Sequence, residues 1–284
     1  MKADYFSLLS YEPIPLRGIG SIRSPRLREI AQITFPVYST YLNVLYMDVS
    51  GYYRTMDQLS DLYFLGLADE DKKIISQVRR EYESLDEVQR QEFSFFDLML
   101  FDPKMRETVL NALNFFLEEE AVYRKGDRGF AVLKEETEPS RDLKQTGEKK
   151  PSGFIHSKNY RELSDFILLR SHLGRADSQY ENVKVKNQTA EKLLKKLREN
   201  ARNNQTKPDR KMELANLISA VASRHSSLNL TNIWDLTVYQ LYDQFKRLRY
   251  LDSYEIQTMN VAAWGNSNGT FDDTLWFTEL EESF

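Results

Sequence analysis

The sequence predicts a mainly α-helical protein with two helical, bundle-like halves and a small β-hairpin inserted around residues 121–134. The first observation is the scarcity of turn residues, with 11 Gly and 8 Pro in 284 residues, which favours long helices over strands joined by turns. The second is that apolar residues recur at helical spacing over most of the chain. The third is that this spacing stops after Glu120 and resumes after residue 156.

The N-terminal residues are predicted to form an irregular arm of 24 residues, because two prolines and two glycines interrupt any helix there. Ser24 followed by Pro25 is typical of a helix start, with serine as the cap and proline in the first turn. A second helix is predicted over residues 37–47, and Gly51 is expected to mark its end.

The next part of the chain also carries helical signals. Residues 55–67 form an amphipathic segment, and Ser84 with Glu87 indicates a new helix cap. A dense apolar block follows at residues 93–101. Asp102 followed by proline repeats the cap-and-proline pattern and predicts a further helix up to residue 117.

The break in helical spacing predicts the hairpin and a boundary. Residues 121–125 and 130–134 are two short apolar runs around a glycine-bounded turn, which is typical of a β-hairpin. Residues 135–152 are polar, lack periodicity and contain two prolines, so we expect a mobile loop. We therefore divide the chain into an N-terminal helical region (1–120), the hairpin with its loop (121–152) and a C-terminal helical region (153–284).

The C-terminal region is predicted to be helical after one short strand, residues 153–156, which extends the hairpin. Ser157 caps a predicted helix over residues 158–173, and residues 212–225 form another. The longest periodic run is residues 234–264. There Thr237 and Gln240 fit a capping box, and five apolar residues share one face of the predicted helix: Val238, Leu241, Tyr242, Phe245 and Leu248.

Reactive side chains are scarce in the sequence. There is no cysteine, and His156, His172 and His225 lie far apart, without the spacing of metal ligands. We interpret them as capping or surface groups. Gly18 and Gly20 lack the third glycine and the βαβ context of a dinucleotide site, and no phosphate-binding loop motif occurs. We therefore predict a non-enzymatic protein with no cofactor and no metal.

Clustered carboxylates have structural explanations as well. Residues 69–71 lie next to Lys72, with which ion pairs at helical spacing are expected. Residues 118–120 lie at a predicted helix end without a histidine or cysteine partner. Asp272 and Asp273 fit either a divalent cation or a cap on the last turn. We assign none of them as a general acid or base.

The chain is predicted to be a cytoplasmic protein, which the resemblance described below would place in the cytosol of a bacterial host. Its start lacks an apolar run typical of a signal peptide, and no window approaches the roughly 20 apolar residues of a membrane span. The absence of cysteine suits a reducing compartment. The net charge of -4 indicates no particular partner.

Residues 184–211 contain ten Lys or Arg against three acidic residues. On a helix, Lys192, Lys195, Lys196 and Arg198 would be the contacts with phosphates of a nucleic acid. Aromatic residues do not interleave with them, so stacking on single strands has no support. A solvated helix, or one that contacts an acidic protein surface, is the favoured interpretation.

Three stretches of the C-terminal half resemble proteins of tailed bacteriophages or of phage-tail-like particles of Gram-positive bacteria. These are MELANLISAVASRH (212–225), LNLTNIWDLTVYQLYDQF (228–245) and FDDTLWF (271–277). The first predicted helix, IRSPRLREI at residues 22–30, agrees with this resemblance.

The resemblance is greatest to a tail assembly chaperone, which coats the tape-measure protein before the tail tube polymerises around it. It implies that a partner helix lies in a groove between helices of this chain. Expected partners are the tape-measure protein and tail tube subunits, with self-association as a further candidate. A structural subunit of the tail, baseplate or connector, found in the virion, is the alternative. The predicted contacts are Lys192, Lys195, Lys196, Arg198, Trp234, Tyr239, Trp264 and Trp276.

Overall fold

A computed structural model describes residues 4–86, 89–90, 93–134, 151–173, 212–266, 269, 271–278 and 280. The described residues are mainly helical and include two small antiparallel sheets, as the sequence predicts. The contacts divide the chain into two compact units. We call them the terminal unit (Met1–Leu9, Arg26–Glu29, Arg170–Phe284) and the central unit (Ser10–Pro25, Ile30–Leu169). The division of the chain at residues 120 and 152 stays a prediction, because it is drawn from composition rather than contacts. The bundle-like arrangement of the two helical halves also stays a prediction.

The helices and strands are numbered here along the described residues. The α-helices are α1 (Tyr5–Leu9), α2 (Leu27–Ile33), α3 (Phe35–Tyr46), α4 (Val49–Leu59), α5 (Asp69–Ser84), α6 (Phe95–Phe101), α7 (Pro103–Phe116), α8 (Ser157–Arg170), α9 (Leu214–Arg224) and α10 (Val238–Trp264). The strands are β1 (Ile14–Leu16), β2 (Gly20–Ile22), β3 (Glu120–Arg124), β4 (Gly129–Leu133) and β5 (Pro151–Ile155).

The central unit packs its helices beside the three-stranded sheet β3-β4-β5. The predicted hairpin is confirmed, with Val122 paired to Ala131, and the predicted extra strand pairs with β4 as β5. Aromatic rings fill much of the core between helix and sheet. The ring centroid of Phe96 on α6 lies 6.1 Å from that of Phe130 on β4 and 5.1 Å from that of Tyr160 on α8.

The predicted helix start at Asp102 is also confirmed. Asp102 Oδ1 accepts hydrogen bonds from the backbone N–H groups of Lys104 and Met105, at 3.0 and 3.2 Å. Proline occupies the first turn of α7, where no N–H is needed. Ser94 caps α6 in the same way, accepting from the N–H of Asp97.

Several local predictions for the N-terminal region are wrong. The irregular arm contains α1 and the two-stranded sheet β1-β2. Gly51 does not end a helix but lies in the first turn of α4, because Asp48 caps that helix and accepts from the Gly51 N–H at 2.6 Å. Ser84 is the last residue of α5 rather than a cap. The helix predicted at Ser24 begins instead at Leu27, whose N–H donates to the carbonyl of Leu236.

The polar segment predicted as a mobile loop, residues 135–152, lies outside the described residues except for its last two. Pro151 and Ser152 begin β5. Gly153 on this strand lies so close to Ile19 that a β-carbon would stand 2.2 Å from the Ile19 carbonyl oxygen. Only glycine allows this approach, which brings β5 beside the segment between β1 and β2.

The terminal unit is organised around α10, whose predicted start is confirmed. Thr237 Oγ1 accepts from the Gln240 N–H at 3.3 Å, and Gln240 Oε1 accepts from the Thr237 N–H at 2.9 Å, which completes a capping box. Helices α9 and α1 and the turn Leu275–Phe277 all pack against α10. Among the described residues, no helix is both long and apolar enough to span a membrane.

Candidate functional site

Two of the three histidines are capping groups, as predicted. His156 Nδ1 accepts a hydrogen bond from the Lys158 N–H at 3.1 Å. His225 Nδ1 accepts from the N–H groups of Ser227 and Leu228, each at 3.1 Å. Within the described ranges, no three histidine, aspartate or glutamate side chains are grouped as metal ligands would be.

The third histidine, His172, is packed among aromatic rings of the terminal unit. Its ring stacks on that of Tyr242 with centroids 4.2 Å apart, and it meets Tyr239 edge-on at 6.0 Å. Burial lowers the pKa of His172 to about 4, and the charge of Lys246 acts in the same direction. The ring is therefore neutral near pH 7 and serves as a packing group.

The buried carboxylate in the central unit, Asp102, is fully engaged in holding helices together. Besides capping α7, its Oδ2 accepts from the Tyr52 hydroxyl at 2.9 Å and from the Tyr63 hydroxyl. Burial and the nearby carboxylate raise the pKa of both tyrosines. Both carboxylate oxygens thus have partners from the protein, as a structural group requires.

The clustered carboxylates also have structural partners. Lys72 forms an ion pair with Asp69 at 3.0 Å, as predicted. Asp272 Oδ1 accepts from the backbone N–H and hydroxyl of Thr274, at 2.9 and 2.6 Å, so it caps a turn. Glu119 Oε2 accepts from the backbone N–H of Ser21 at 2.7 Å, which ties β2 to the start of the hairpin.

An open groove in the central unit is the first surface suited to a partner. It lies between α5 and α6 and has a volume of about 350 Å³. Its apolar walls include Ile74 and Phe101, which are 37% and 39% exposed. We call it the α5–α6 groove, and its lining comprises Ile74, Gln77, Val78, Glu81, Phe93, Asp97, Phe101 and Arg128.

Charged groups of both signs stand at the rim of the α5–α6 groove. Glu81 accepts from Gln77 Nε2 at 2.9 Å, and Asp97 accepts from the Ser94 hydroxyl. Arg128 lies at the turn of the hairpin with φ 50°. The groove therefore combines apolar walls with acidic and basic side chains, which would orient a bound segment.

The second surface is the C-terminal half of α10 in the terminal unit. Four large apolar side chains are exposed there, namely Leu251 (37%), Ile256 (55%), Met259 (61%) and Trp264 (85%). Ile256 and Met259, three residues apart, lie on the same side of the helix, where apolar side chains usually pack in a core. We call this surface the exposed half of α10, residues 251–264.

The residues predicted to contact a partner differ in their exposure to solvent. Trp264 and Trp276 are exposed, and the Trp276 ring packs on Phe277 with centroids 4.8 Å apart. Trp234 is partly buried and donates from its indole N–H to the Leu230 carbonyl at 2.8 Å. Tyr239 is 5% exposed. The predicted basic contacts Lys192, Lys195, Lys196 and Arg198 lie outside the described residues.

Sequence reasoning named Trp264 but missed the other residues that form the two surfaces. A signal for the exposed half of α10 was present, because apolar residues continue at Ile256 and Met259 beyond the stripe that ends at Leu248. No comparable signal marks the α5–α6 groove. Ile74 and Phe101 are brought together by packing of two helices.

Comparison with known proteins links part of the chain to phages. Residues 203–281 match the family model described as the YomV second domain, which belongs to a phage-derived protein family. The matched range includes α9, α10 and the aromatic segment after α10. No curated protein and no solved structure matches the chain.

Proposed function

We propose that this chain is a phage protein that assists tail assembly as a chaperone, by binding the helical tape-measure protein before the tail tube polymerises. The observation that carries the proposal is the α5–α6 groove. It is an open groove between two helices with both apolar and charged side chains in its lining, which is the kind of surface in which an amphipathic partner helix binds.

The size and lining of the groove fit the apolar side chains of a helix. A volume of about 350 Å³ lies at the lower end of the roughly 300–1,000 Å³ of ligand clefts. Ile74, Val78 and Phe101 supply the apolar contact. Glu81 at the rim would attract a basic side chain next to the partner's apolar stripe, and Arg128 an acidic one.

The match of residues 203–281 to a phage-derived family supports the phage setting of the proposal. It names no tail component. The role in tail assembly comes from the resemblance of the C-terminal half to tail proteins and from the groove. Under this proposal, the partner-binding surface belongs to the central unit. The residues that match the phage-derived family belong to the terminal unit.

A pull-down from induced or infected cells tests the partner. The tagged chain should capture the long coiled-coil tape-measure protein, identified by mass spectrometry. Ile74→Glu places a charge in the groove and should weaken capture at least tenfold, because burying an unpaired charge is costly. Asn43→Glu on α3, an exposed site with the same change of charge, should leave capture unchanged.

Mass spectrometry of purified particles separates this role from that of a structural subunit. A chaperone should be absent from finished particles. Presence at a symmetric copy number would instead show a tail, baseplate or connector subunit and overturn the chaperone role. Equal capture by the wild type and Ile74→Glu would show that the partner does not bind in the α5–α6 groove.

A further inference from the structure

The aromatic segment after α10, residues 271–278, is attached to α10 at both of its ends. The ring centroids of Phe271 and Tyr254 lie 5.9 Å apart. At the other end, the Arg247 guanidinium donates to the Thr278 carbonyl at 2.6 Å. These contacts fix the position of the residues between them. We call this segment the aromatic turn.

The aromatic turn leaves two of its rings exposed. Trp276 is 46% exposed and Phe277 is 54% exposed. Their ring centroids lie 4.8 Å apart with the ring planes at 68°, so the two rings pack edge to face and form one aromatic surface. Aromatic side chains that are exposed and held in place are typical of protein interfaces. This surface is therefore suited to contact with another molecule.

An acidic side chain lies beside this pair of rings. The N–H groups of Leu275, Phe277 and Thr278 each donate to the carbonyl three residues earlier, at 3.4, 3.0 and 3.4 Å. The aromatic turn therefore winds with about three residues per turn, which places residues three apart on the same side. Asp273, which is exposed, precedes Trp276 by three residues. A cation bound over the indole ring would thus have a carboxylate within reach.

The sequence around the aromatic turn is acidic. Residues 250–284 contain seven Asp or Glu and no Lys, Arg or His. Two of these acidic residues, on α10, form ion pairs with Arg224, whereas Asp272 and Asp273 are exposed on the turn. Hydrogen bonds from Thr274 lower the pKa of Asp272, which therefore stays ionised at neutral pH. The surface attracts basic groups and repels polyanions such as nucleic acid.

We propose that the aromatic turn binds a basic segment of a partner protein, in which an arginine stacks on Trp276 and forms an ion pair with Asp273. The guanidinium group is planar, so it lies over an aromatic ring and still donates to a carboxylate. Apolar side chains next to the arginine cover Phe277. The charge of the turn selects this occupant, because a nucleic acid or an anionic membrane would bring like charges together.

Binding of a basic peptide to the full chain tests the site. The probe is a short fluorescent peptide of alternating arginine and leucine, and fluorescence anisotropy at low salt measures its dissociation constant. The same peptide with citrulline in place of arginine keeps the shape but lacks the charge. It should bind about tenfold more weakly, because it cannot form the ion pair or the cation–π contact. Added salt should weaken binding of the arginine peptide, since exposed charges are screened.

Variants of the chain locate the site. Trp276→Ala should raise the dissociation constant about fivefold, whereas Trp264→Ala, the same change at another exposed tryptophan, should leave it unchanged. Trp276→Phe keeps a ring and should bind more tightly than Trp276→Ala. Asp273→Asn should raise the dissociation constant about threefold through loss of the ion pair. Asp61→Asn, at an exposed site of the central unit, should have no effect.

Several outcomes would overturn the proposal. Equal affinity for the arginine and citrulline peptides would remove the role of charge, and equal affinity of Trp276→Ala and Trp264→Ala would remove the role of the turn. A DNA oligonucleotide that binds the wild type but not Trp276→Ala would show a nucleic-acid site instead. A wild-type dimer, measured by light scattering, that dissociates in Trp276→Ala would show that a second copy covers the turn.

The α5–α6 groove is tested separately in the same assay. Ile74→Gln removes an apolar contact from the groove without adding charge and should bind the arginine peptide like the wild type. Weaker binding would place the peptide in the groove and overturn its assignment to the aromatic turn. No phage protein other than this chain is present, so the outcome is independent of the chaperone role.

Discussion

The two halves of α10 carry the same kind of apolar spacing but have different surroundings. Leu241 in the first half is fully buried, and Met259 in the second half is 61% exposed, although both lie on one side of the helix. Periodicity therefore predicts that a helix forms and which side is apolar. Whether that side is buried depends on where the neighbouring elements end.

The first half is held by segments from both ends of the chain. The Tyr5 hydroxyl of α1 donates to Asp243, and the Arg247 guanidinium donates to the Thr278 carbonyl at 2.6 Å. Gln240 Nε2 donates to the Leu9 carbonyl at 2.8 Å. In the second half, the ring centroids of Phe271 and Tyr254 lie 5.9 Å apart. The side bearing Met259 stays exposed.

Truncating one residue in each half of α10 should give the largest difference in the free energy of unfolding. Leu241→Ala removes a fully buried side chain and should lower the free energy of unfolding by about 2–5 kcal/mol, through lost transfer energy and the cavity left behind. Met259→Ala should change it by less than about 0.5 kcal/mol, as is usual for exposed sites. Urea unfolding followed by tryptophan fluorescence measures both.

Tryptophan fluorescence is a selective probe, because all three tryptophans belong to the terminal unit. Similar losses in the two variants would show that the second half of α10 is packed as well as the first, and the contrast between them would disappear.

Acid should weaken the packing around the first half through His172, which stacks on Tyr242. The pKa of His172 is lowered from 6.5 to about 4 in the folded chain. The unfolded chain therefore binds a proton first as the pH falls, and stability is lost between pH 6.5 and 4. Because the ring is partly exposed, we expect a loss on the order of 2 kcal/mol.

The measurement is the free energy of unfolding at several pH values for the wild type and His172→Gln. Glutamine does not titrate, so the variant should show a smaller loss between pH 6.5 and 4. The difference between the two chains isolates His172 from the other groups that titrate in this range. Parallel curves for the two chains would mean that the ring is not held in its neutral form.

Local signals in the sequence were sufficient for several elements of the fold. The Asp102 cap and the Thr237 capping box depend on residues at most three positions apart, and both are confirmed. The hairpin β3-β4 is equally local. Its two strands are separated by four residues, so its turn residues and apolar runs are read together.

Features that depend on distant residues were not predictable. Gly51 is a different case, because the Asp48 cap that starts a new helix there lies only three residues away. The α5–α6 groove needs the packing of two helices and the placement of Arg128 from the hairpin turn. The exposure of Met259 depends on the end of α9 at Arg224. Tertiary context, rather than local preference, decides such positions.

The smallest expected effect concerns the cap at the start of α10. Thr237→Ala removes the hydroxyl that accepts from the Gln240 N–H and should lower the free energy of unfolding by about 1 kcal/mol. Thr258→Ala makes the same change within the exposed half, where alanine is the better helix former, and should cause no loss. Urea unfolding at pH 7 measures both variants. An equal loss at the two positions would show that the effect at residue 237 does not depend on the cap.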